Sequence, residues 1–230
     1  MAGMLYVVGT PIGNLADITL RALETLKAVD VIACEDTRHT GTLLAHYQIR
    51  KPLVSLHDHN ERLQTPRLLE RLAAGEAIAL VSDGGTPLIS DPGWLFVHEA
   101  IEREIGVQWI PGAVAAIGAL VLSGLPTDRF VFEGFLPVKS GARRRRLEAL
   151  KQEPRTIVLY ESPHRLVRTL TEIREVLGEI QIACSRELTK MFEEIRRGSV
   201  EETLRYFDQH APRGEFVLVM KVGAHGGLEK

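Results

Sequence analysis

A fivefold alternation of strand-like and helix-like segments is the feature of this sequence that most restricts its fold. Short apolar runs are each followed by a polar loop and then by a segment with apolar residues at helical spacing. The predicted strands are residues 4–8, 29–34, 53–56, 77–81 and 107–110. Repeated strand–helix units of this kind are typical of a mainly parallel, doubly wound α/β sheet. We therefore predict an α/β domain over residues 1–122, whose last element is an alanine-rich helix.

The order of elements changes in the second half, after a Gly/Pro segment at residues 123–128. Strand-like runs at residues 130–135, 156–160, 180–184 and 215–222 are separated by predicted helices and by a hairpin-like end. Such an arrangement indicates a mixed sheet. We predict a second α/β domain over residues 123–230, with a disordered tail from Gly223 to Lys230.

The composition is that of an ordinary globular protein. The chain has 230 residues, of which 45% are hydrophobic and 25% charged, and it lacks a signal-peptide pattern or an apolar run of membrane-spanning length. Its two cysteines, Cys34 and Cys184, lie in apolar strands without zinc-site spacing, which favours a reducing compartment. His57 and His59 supply two metal ligands without a clear third. We predict a cytoplasmic protein that binds neither a membrane nor a metal.

Charge is distributed unevenly along the chain. The net charge is −2, but residues 1–124 carry nine basic and fourteen acidic side chains, whereas residues 125–230 carry nineteen and sixteen. Seven basic and two acidic residues fall between Pro137 and Arg155. This segment is therefore the best candidate for contacting RNA phosphates. We predict RNA contacts from its four consecutive arginines: Arg143, Arg144, Arg145 and Arg146.

Polar loops rich in glycine and proline follow the predicted strands of the first half. The carboxyl ends of parallel strands meet at one edge of a sheet, where ligands of α/β proteins bind. Gly84 and Gly85 allow a ligand to approach the backbone, so we predict a ligand site around residues 82–93. The loop at residues 9–14 lacks the third glycine of the dinucleotide fingerprint, which argues against a nicotinamide oxidoreductase.

Six motifs occur in an order that resembles one protein family. They are VVGTPIGN, ACEDTRHT, SDGGTPLISDPG, IPGAVAAIGALVLSGLP, YESPHR, and SRELTK followed by EEIRRGS. This pattern is similar to the tetrapyrrole-methylase superfamily of S-adenosylmethionine-dependent methyltransferases, and EDTR, SDGGTPLISDPG and YESPHR resemble its branch that methylates ribosomal RNA. The resemblance implies a homodimer of two-domain α/β subunits with the cofactor between the domains. It also implies 2′-O-methylation of a cytidine in the decoding region of 16S rRNA, within the 30S subunit.

The resemblance also implies which loops hold the cofactor. S-Adenosylmethionine presents an ammonium, a carboxylate, a ribose diol and an adenine, which backbone groups and a few hydroxyls and carboxylates can bind. The predicted cofactor contacts are Gly9, Pro11, Asp83, Gly84, Thr86, Pro87, Ala113, Ser123, Tyr160 and Glu161.

Methylation of a ribose hydroxyl calls for a group that accepts the hydroxyl proton or stabilises the developing alkoxide. Sequence alone does not choose among the candidates in the strand-end loops, which are Glu35, Asp36, His57, Lys190 and Glu193. We predict catalytic roles for Asp36, Glu35 and Lys190. Arg38, His57 and Asn60 lie on neighbouring loops and are predicted to face the RNA.

Two other functions remain open at this point. A methyltransferase of the same fold can act on a tetrapyrrole-like or other small molecule, although EDTR and the basic segment favour RNA. A non-catalytic RNA- or nucleotide-binding module is the third possibility, and failure to bind S-adenosylmethionine would favour it.

Overall fold

The computed structural model of the protein describes residues 3–223, so the predicted disorder of residues 224–230 lies outside the described part of the chain. The chain divides into two compact units, Met1–Val114 and Ala115–Lys230. This division falls before the alanine-rich helix, whereas the predicted boundary lies after it, at residues 122–123.

A five-stranded parallel sheet forms the first unit, as the strand–helix alternation predicts. Its strands are β1 (Met4–Val8), β2 (Val31–Cys34), β3 (Leu53–Ser55), β4 (Ala77–Val81) and β5 (Gly106–Ile110). Their order across the sheet is β3-β2-β4-β1-β5, and every neighbouring pair runs parallel. The carboxyl ends of all five strands therefore lie along one edge, together with the loops that follow them.

Helices cover both faces of this sheet. They are α1 (Leu20–Ala28), α2 (Thr37–His46), α3 (Glu61–Ala73) and α4 (Trp94–Glu102). Alternate strand residues enter two separate apolar cores: Leu80 packs with Leu68 and Phe96, whereas Ile32 packs with Leu26. Burial of both faces explains why these strands read as continuous apolar runs.

The second unit contains a mixed five-stranded sheet. Its strands are β6 (Phe130–Phe135), β7 (Thr156–Glu161), β8 (Gln181–Arg186), β9 (Glu194–Ser199) and β10 (Phe216–Lys221). The order is β6-β7-β10-β8-β9, in which β6 and β7 run parallel and the other neighbours antiparallel. The predicted fold class, a parallel sheet followed by a mixed sheet in two α/β units, is confirmed.

Four helices complete the second unit: α5 (Ala115–Ser123), α6 (Ser140–Leu150), α7 (Leu166–Leu177) and α8 (Val200–Gln209). The core contains Leu147 of α6, Leu170 of α7 and Leu204 of α8. α5 packs against β7, β8 and β10, which is why it belongs to the second unit. Its small residues Ala116 and Ala119 are buried and permit this close packing.

α2 begins at Thr37, because the Asp36 side chain accepts a hydrogen bond from the Arg38 amide and caps the first turn. α6 begins at Ser140. Within residues 3–223, no helix combines the length and apolar character needed to cross a bilayer.

Candidate active site

The loops after β1 and β5 touch through their backbones at two glycines. A Cβ atom built on Gly9 would lie 2.7 Å from Gly112, and one built on Gly112 would lie 2.7 Å from Gly9. The Gly9 amide also donates a hydrogen bond of 2.9 Å to the Ile110 carbonyl. Any side chain at either position would force the two loops apart.

The loop after β4 is bonded to the same pair of loops. Thr10 and Gly85 exchange two backbone hydrogen bonds, of 2.8 and 3.1 Å. The Thr10 hydroxyl donates to the carbonyl oxygens of Ser82 and Gly85, and the Thr86 hydroxyl donates to the Ala113 carbonyl, all at 3.3 Å. The predicted contacts Gly9, Pro11, Gly84, Thr86 and Ala113 therefore lie in one cluster of bonded loops, which we call the glycine-loop cluster.

The β4–α4 loop is strained after Pro87. Leu88 and Ser90 have φ angles of 73° and 67°, in the left-handed region that residues with a side chain rarely adopt. Gly93, with φ of 116°, ends the loop, and its amide donates to the Glu61 carboxylate at 3.1 Å. Conformations of this kind persist where the surrounding structure imposes them, often at functional sites.

Asp36 and Asp83 join the β2 and β4 loops. The Asp36 amide donates to Asp83 Oδ1 at 3.0 Å. The Asp36 carboxylate accepts hydrogen bonds from Arg38 Nη2 at 2.7 Å and from the Arg38 amide at 2.8 Å. These bonds from Arg38 hold the pKa of Asp36 well below its usual range. Such a weak base is poorly suited to accept a proton, and the geometry gives Asp36 a capping and positioning role.

Two other carboxyl groups in the first unit have raised pKa values. Burial raises the pKa of Glu35, helped by the negative charges of Asp83 and Asp58. Burial also raises the pKa of Asp91 to about 6; the Ser82 hydroxyl opposes the rise, and the charges of Glu35, Asp83 and Asp58 add to it. Asp91 was missed in the sequence because the burial that mainly raises its pKa, and the nearby charges of Glu35 and Asp58, arise only when the chain folds.

Asn60 and His57 belong to the β3–α3 loop. Asn60 Oδ1 accepts a hydrogen bond of 2.8 Å from the His57 amide, and Asn60 Nδ2 donates to the Ser55 carbonyl at 3.1 Å. The Asn60 side chain thus stabilises the β3–α3 loop. His57 Nδ1 is buried without a hydrogen-bond partner among the described residues, and the His57 ring meets His59 edge-on at 6.0 Å. In the described part of the chain, no three His, Cys, Asp or Glu side chains are arranged to hold a metal ion.

Lys190 lies in the β8–β9 connection of the second unit. Its ammonium donates to Glu187 Oε1 and to Glu215 Oε2, each at 2.9 Å. Burial would lower the pKa of Lys190, but these hydrogen bonds to Glu215 and Glu187 outweigh that effect and raise it. The amine therefore stays protonated at neutral pH and cannot act as a general base. Glu193, the other candidate in this loop, accepts a hydrogen bond of 2.6 Å from the Thr189 amide.

The polar side chains of Ser123 and Glu161 form hydrogen bonds within the second unit. The buried Ser123 hydroxyl donates to the Leu120 carbonyl at 2.7 Å and accepts from the Leu125 amide at 3.0 Å. The buried Glu161 carboxylate accepts hydrogen bonds from Thr169 Oγ1 at 2.5 Å and from the Ser162 amide at 2.8 Å. It also pairs with Arg165 at 3.2 Å. These side chains hold the start of α7 and the end of α5.

Tyr160 belongs to an aromatic group on neighbouring strands. Its ring centroid lies 5.0 Å from that of Phe132 and 5.6 Å from that of Phe135. Tyr160 is partly buried and is the second-last residue of β7.

Arg143 is not available to RNA, so this part of the prediction is wrong. Its side chain is 1% exposed and forms a two-pronged ion pair with Glu172, at 2.6 and 2.8 Å. Its remaining nitrogen donates to the carbonyls of Val138 and Pro137. The Arg143 guanidinium thus joins α6 to α7. The spacing of residues along the sequence does not reveal this ion pair.

The other three arginines of the run differ from one another. Arg144 pairs with Glu175, and Arg146 forms two hydrogen bonds of 2.7 Å with Glu133. Arg145 is exposed and has no ion pair within the described residues. Of the four arginines predicted to contact RNA, Arg145 is therefore the best placed, followed by Arg144 and Arg146.

Comparison with known proteins places these features in a family. The family model of tetrapyrrole (corrin/porphyrin) methylases matches residues 4–204. Ribosomal RNA small subunit methyltransferase I of Synechocystis is 56% identical over 95% of this chain and 78% of its own length. The protein of that name from Escherichia coli O157:H7 is 54% identical over 95% of this chain and 78% of its own length.

A solved structure supports the same fold. Uroporphyrin-III-C-methyltransferase from Thermus thermophilus superposes with a TM-score of 0.65 at 25% identity, covering 94% of each chain.

The arginine run supplies a direct test of how the second unit is held together. Replacing Arg143 with Ala leaves the buried Glu172 carboxylate with only the Ser140 hydroxyl and the more distant Arg168 as partners, and we expect a loss of about 3 kcal/mol in the free energy of unfolding, measured in urea. The matched control is Arg145→Ala, which removes the same group from the solvent-exposed face and should change stability by less than about 0.5 kcal/mol. Equal effects of the two variants would contradict the assignment of Arg143 to the core.

The match over most of the chain, together with the confirmed order of two α/β units, shows that this protein belongs to the tetrapyrrole methylase family and, within it, to the group of ribosomal RNA small subunit methyltransferase I.

Proposed function

We propose that this protein is an S-adenosylmethionine-dependent methyltransferase of ribosomal RNA. The observation that carries the proposal is identity above one half, over nearly the whole chain, to proteins named ribosomal RNA small subunit methyltransferase I. The resemblance of its motifs supports the finer statement that it methylates a cytidine 2′-hydroxyl in the decoding region of 16S rRNA, on the 30S subunit. A homodimer in the cytoplasm is part of the same proposal.

The glycine-loop cluster and the neighbouring acidic residues suit this cofactor. S-Adenosylmethionine carries positive charge on its sulfonium and ammonium groups, and Glu35, Asp58, Asp83 and Asp91 make this edge of the first sheet negative. Backbone groups of the loops offer donors and acceptors at positions where side chains are absent. When bound, the cofactor supplies an electrophilic methyl group to a nucleophile, so the protein's tasks are orientation and exclusion of water.

Asp91 is the residue that we assign as general base. A ribose hydroxyl loses its proton as the new C–O bond forms, and an ionised carboxylate with a pKa near the working pH is well suited to accept it. Burial raises the pKa of Asp91 to about 6, whereas Asp36 is too weak a base and Lys190 is already protonated. Glu35, whose pKa is also raised, is the second candidate.

The reaction is tested by methyl transfer from labelled S-adenosylmethionine to 30S subunits that lack their native methylations. We expect label in 2′-O-methylcytidine after nuclease digestion. The same fold acting on a small molecule is the alternative, favoured by the likeness to uroporphyrin-III-C-methyltransferase. Cofactor binding with no label on RNA would favour that alternative, and failure to bind the cofactor would favour a non-catalytic module.

Asp91→Asn is predicted to lower activity while raising stability. We expect kcat to fall about 10²–10⁴-fold, because the amide cannot accept the proton. In the wild type, kcat should rise with pH through about 6 as Asp91 ionises.

The difference in stability between this variant and the wild type depends on pH in a defined direction. A folded-state pKa above the unfolded value of about 3.9 means that the folded protein binds the proton more tightly, so stability falls as pH rises from about 4 to about 6. The Asp91→Asn substitution removes that loss, and Tm of the variant should exceed that of the wild type at pH 8 but not at pH 4. Glu102→Gln, which removes a negative charge from an exposed position on α4, is the control and should retain kcat. An Asp91→Asn enzyme as active as the wild type would contradict the assignment.

A further inference from the structure

An exposed tryptophan stands at the start of α4, directly after the strained β4–α4 loop. Trp94 is 64% exposed, yet its ring is not loose. It stacks on His98, one turn further along the helix, with ring centroids 5.0 Å apart and planes only 5° from parallel. The indole therefore stacks on His98 with one face, while most of its surface remains open to solvent.

The position of Trp94 is fixed from a second direction. The Glu61 carboxylate at the start of α3 accepts hydrogen bonds from the Gly93 amide at 3.1 Å and from the Leu95 amide at 2.9 Å. The first turns of α3 and α4 are thus tied together on either side of Trp94 in the sequence. Trp94 lies three residues after Asp91, so the ring is close along the chain to the proposed general base.

A cationic side chain lies beside Glu61, the residue that joins the two helices. Arg62 follows Glu61 in the first turn of α3 and is exposed, and among the described residues it forms no ion pair. The start of α3 therefore offers an available guanidinium, and the start of α4, which Glu61 joins to it, offers an open aromatic face.

We propose that Trp94, held by His98, is a stacking platform for an unpaired nucleobase of the RNA substrate, and that Arg62 contacts the adjoining phosphate. The proposal rests on the proposed function. It goes further by naming how the nucleotide is recognised and by requiring that the bound RNA be single-stranded at this point.

The chemistry favours a nucleobase as the occupant. Proteins that bind unpaired RNA stack its bases on aromatic side chains and place basic groups on the phosphates. One such stack contributes about 1–3 kcal/mol by alanine substitution, and it tolerates any base. The ring that is already fixed by His98 loses little further freedom when a base binds, which strengthens the interaction.

Steady-state kinetics on 30S subunits test the proposal. Trp94→Ala should raise KM for the 30S subunit about tenfold, which corresponds to about 1.4 kcal/mol, while KM for S-adenosylmethionine stays unchanged. Trp94→Phe, which keeps an aromatic face, should stay within about threefold of the wild type. Ile101→Ala is the control, because Ile101 is 57% exposed on the same helix, about 10 Å further along its axis. A rise in KM for the cofactor alone would overturn the proposal by assigning the ring to the adenine.

A binding measurement tests the same platform without methyl transfer. The chain has two tryptophans, so Trp109→Phe leaves Trp94 as the only one. Fluorescence of this variant should be quenched by a short single-stranded RNA and not by the same sequence in a duplex. Arg62→Gln should weaken this binding and reduce its dependence on salt. Absence of quenching overturns the stacking proposal even if 30S subunits are methylated, whereas quenching without methylation overturns only the proposed reaction.

Discussion

The backbone contact between Gly9 and Gly112 is the constraint on which the candidate site depends. Because neither residue has a side chain, the loops after β1 and β5 approach closely enough for the β4 loop to bond beside them through Thr10 and Gly85. Three strand ends that are far apart in sequence thus present their backbone groups together. Leu88 and Ser90, further along the same β4 loop, adopt φ angles in the left-handed region.

The same edge of the sheet also contains two carboxyl groups with raised pKa values, Glu35 and Asp91. Burial is the main cost of ionising Glu35 and Asp91, and repulsion from the other carboxyl groups in the loops after β2, β3 and β4 adds to it. That cost is a loss of stability at neutral pH, and it gives Asp91 a pKa suited to proton transfer. Asp36 escapes it because Arg38 pairs with its carboxylate. Neighbouring acids along the chain therefore have different chemical roles.

Much of the fold could be predicted from the sequence, and the reasons lie in local patterns. β4 is a continuous apolar run that ends in a glycine loop, and β6 covers the residues predicted for it, Phe130–Phe135. Arg143 could not be predicted, since an arginine in a basic run looks solvated until its partner, 29 residues away, is known. The raised pKa of Asp91 could not be predicted either, because it depends on burial and on charges that come close only when the chain folds. Pairings between distant residues were therefore the main source of error.

Hydrogen exchange with and without S-adenosylmethionine tests most directly whether the glycine-loop cluster binds the cofactor. Amides of residues 12–13, 83–84, 86 and 112–113 should exchange more slowly when the cofactor is bound, because the cofactor then bonds them or shields them from water. The amides of α8 should be unaffected, because we assign that helix no role in binding the cofactor. Protection confined to other segments, with none in these three loops, would contradict the account.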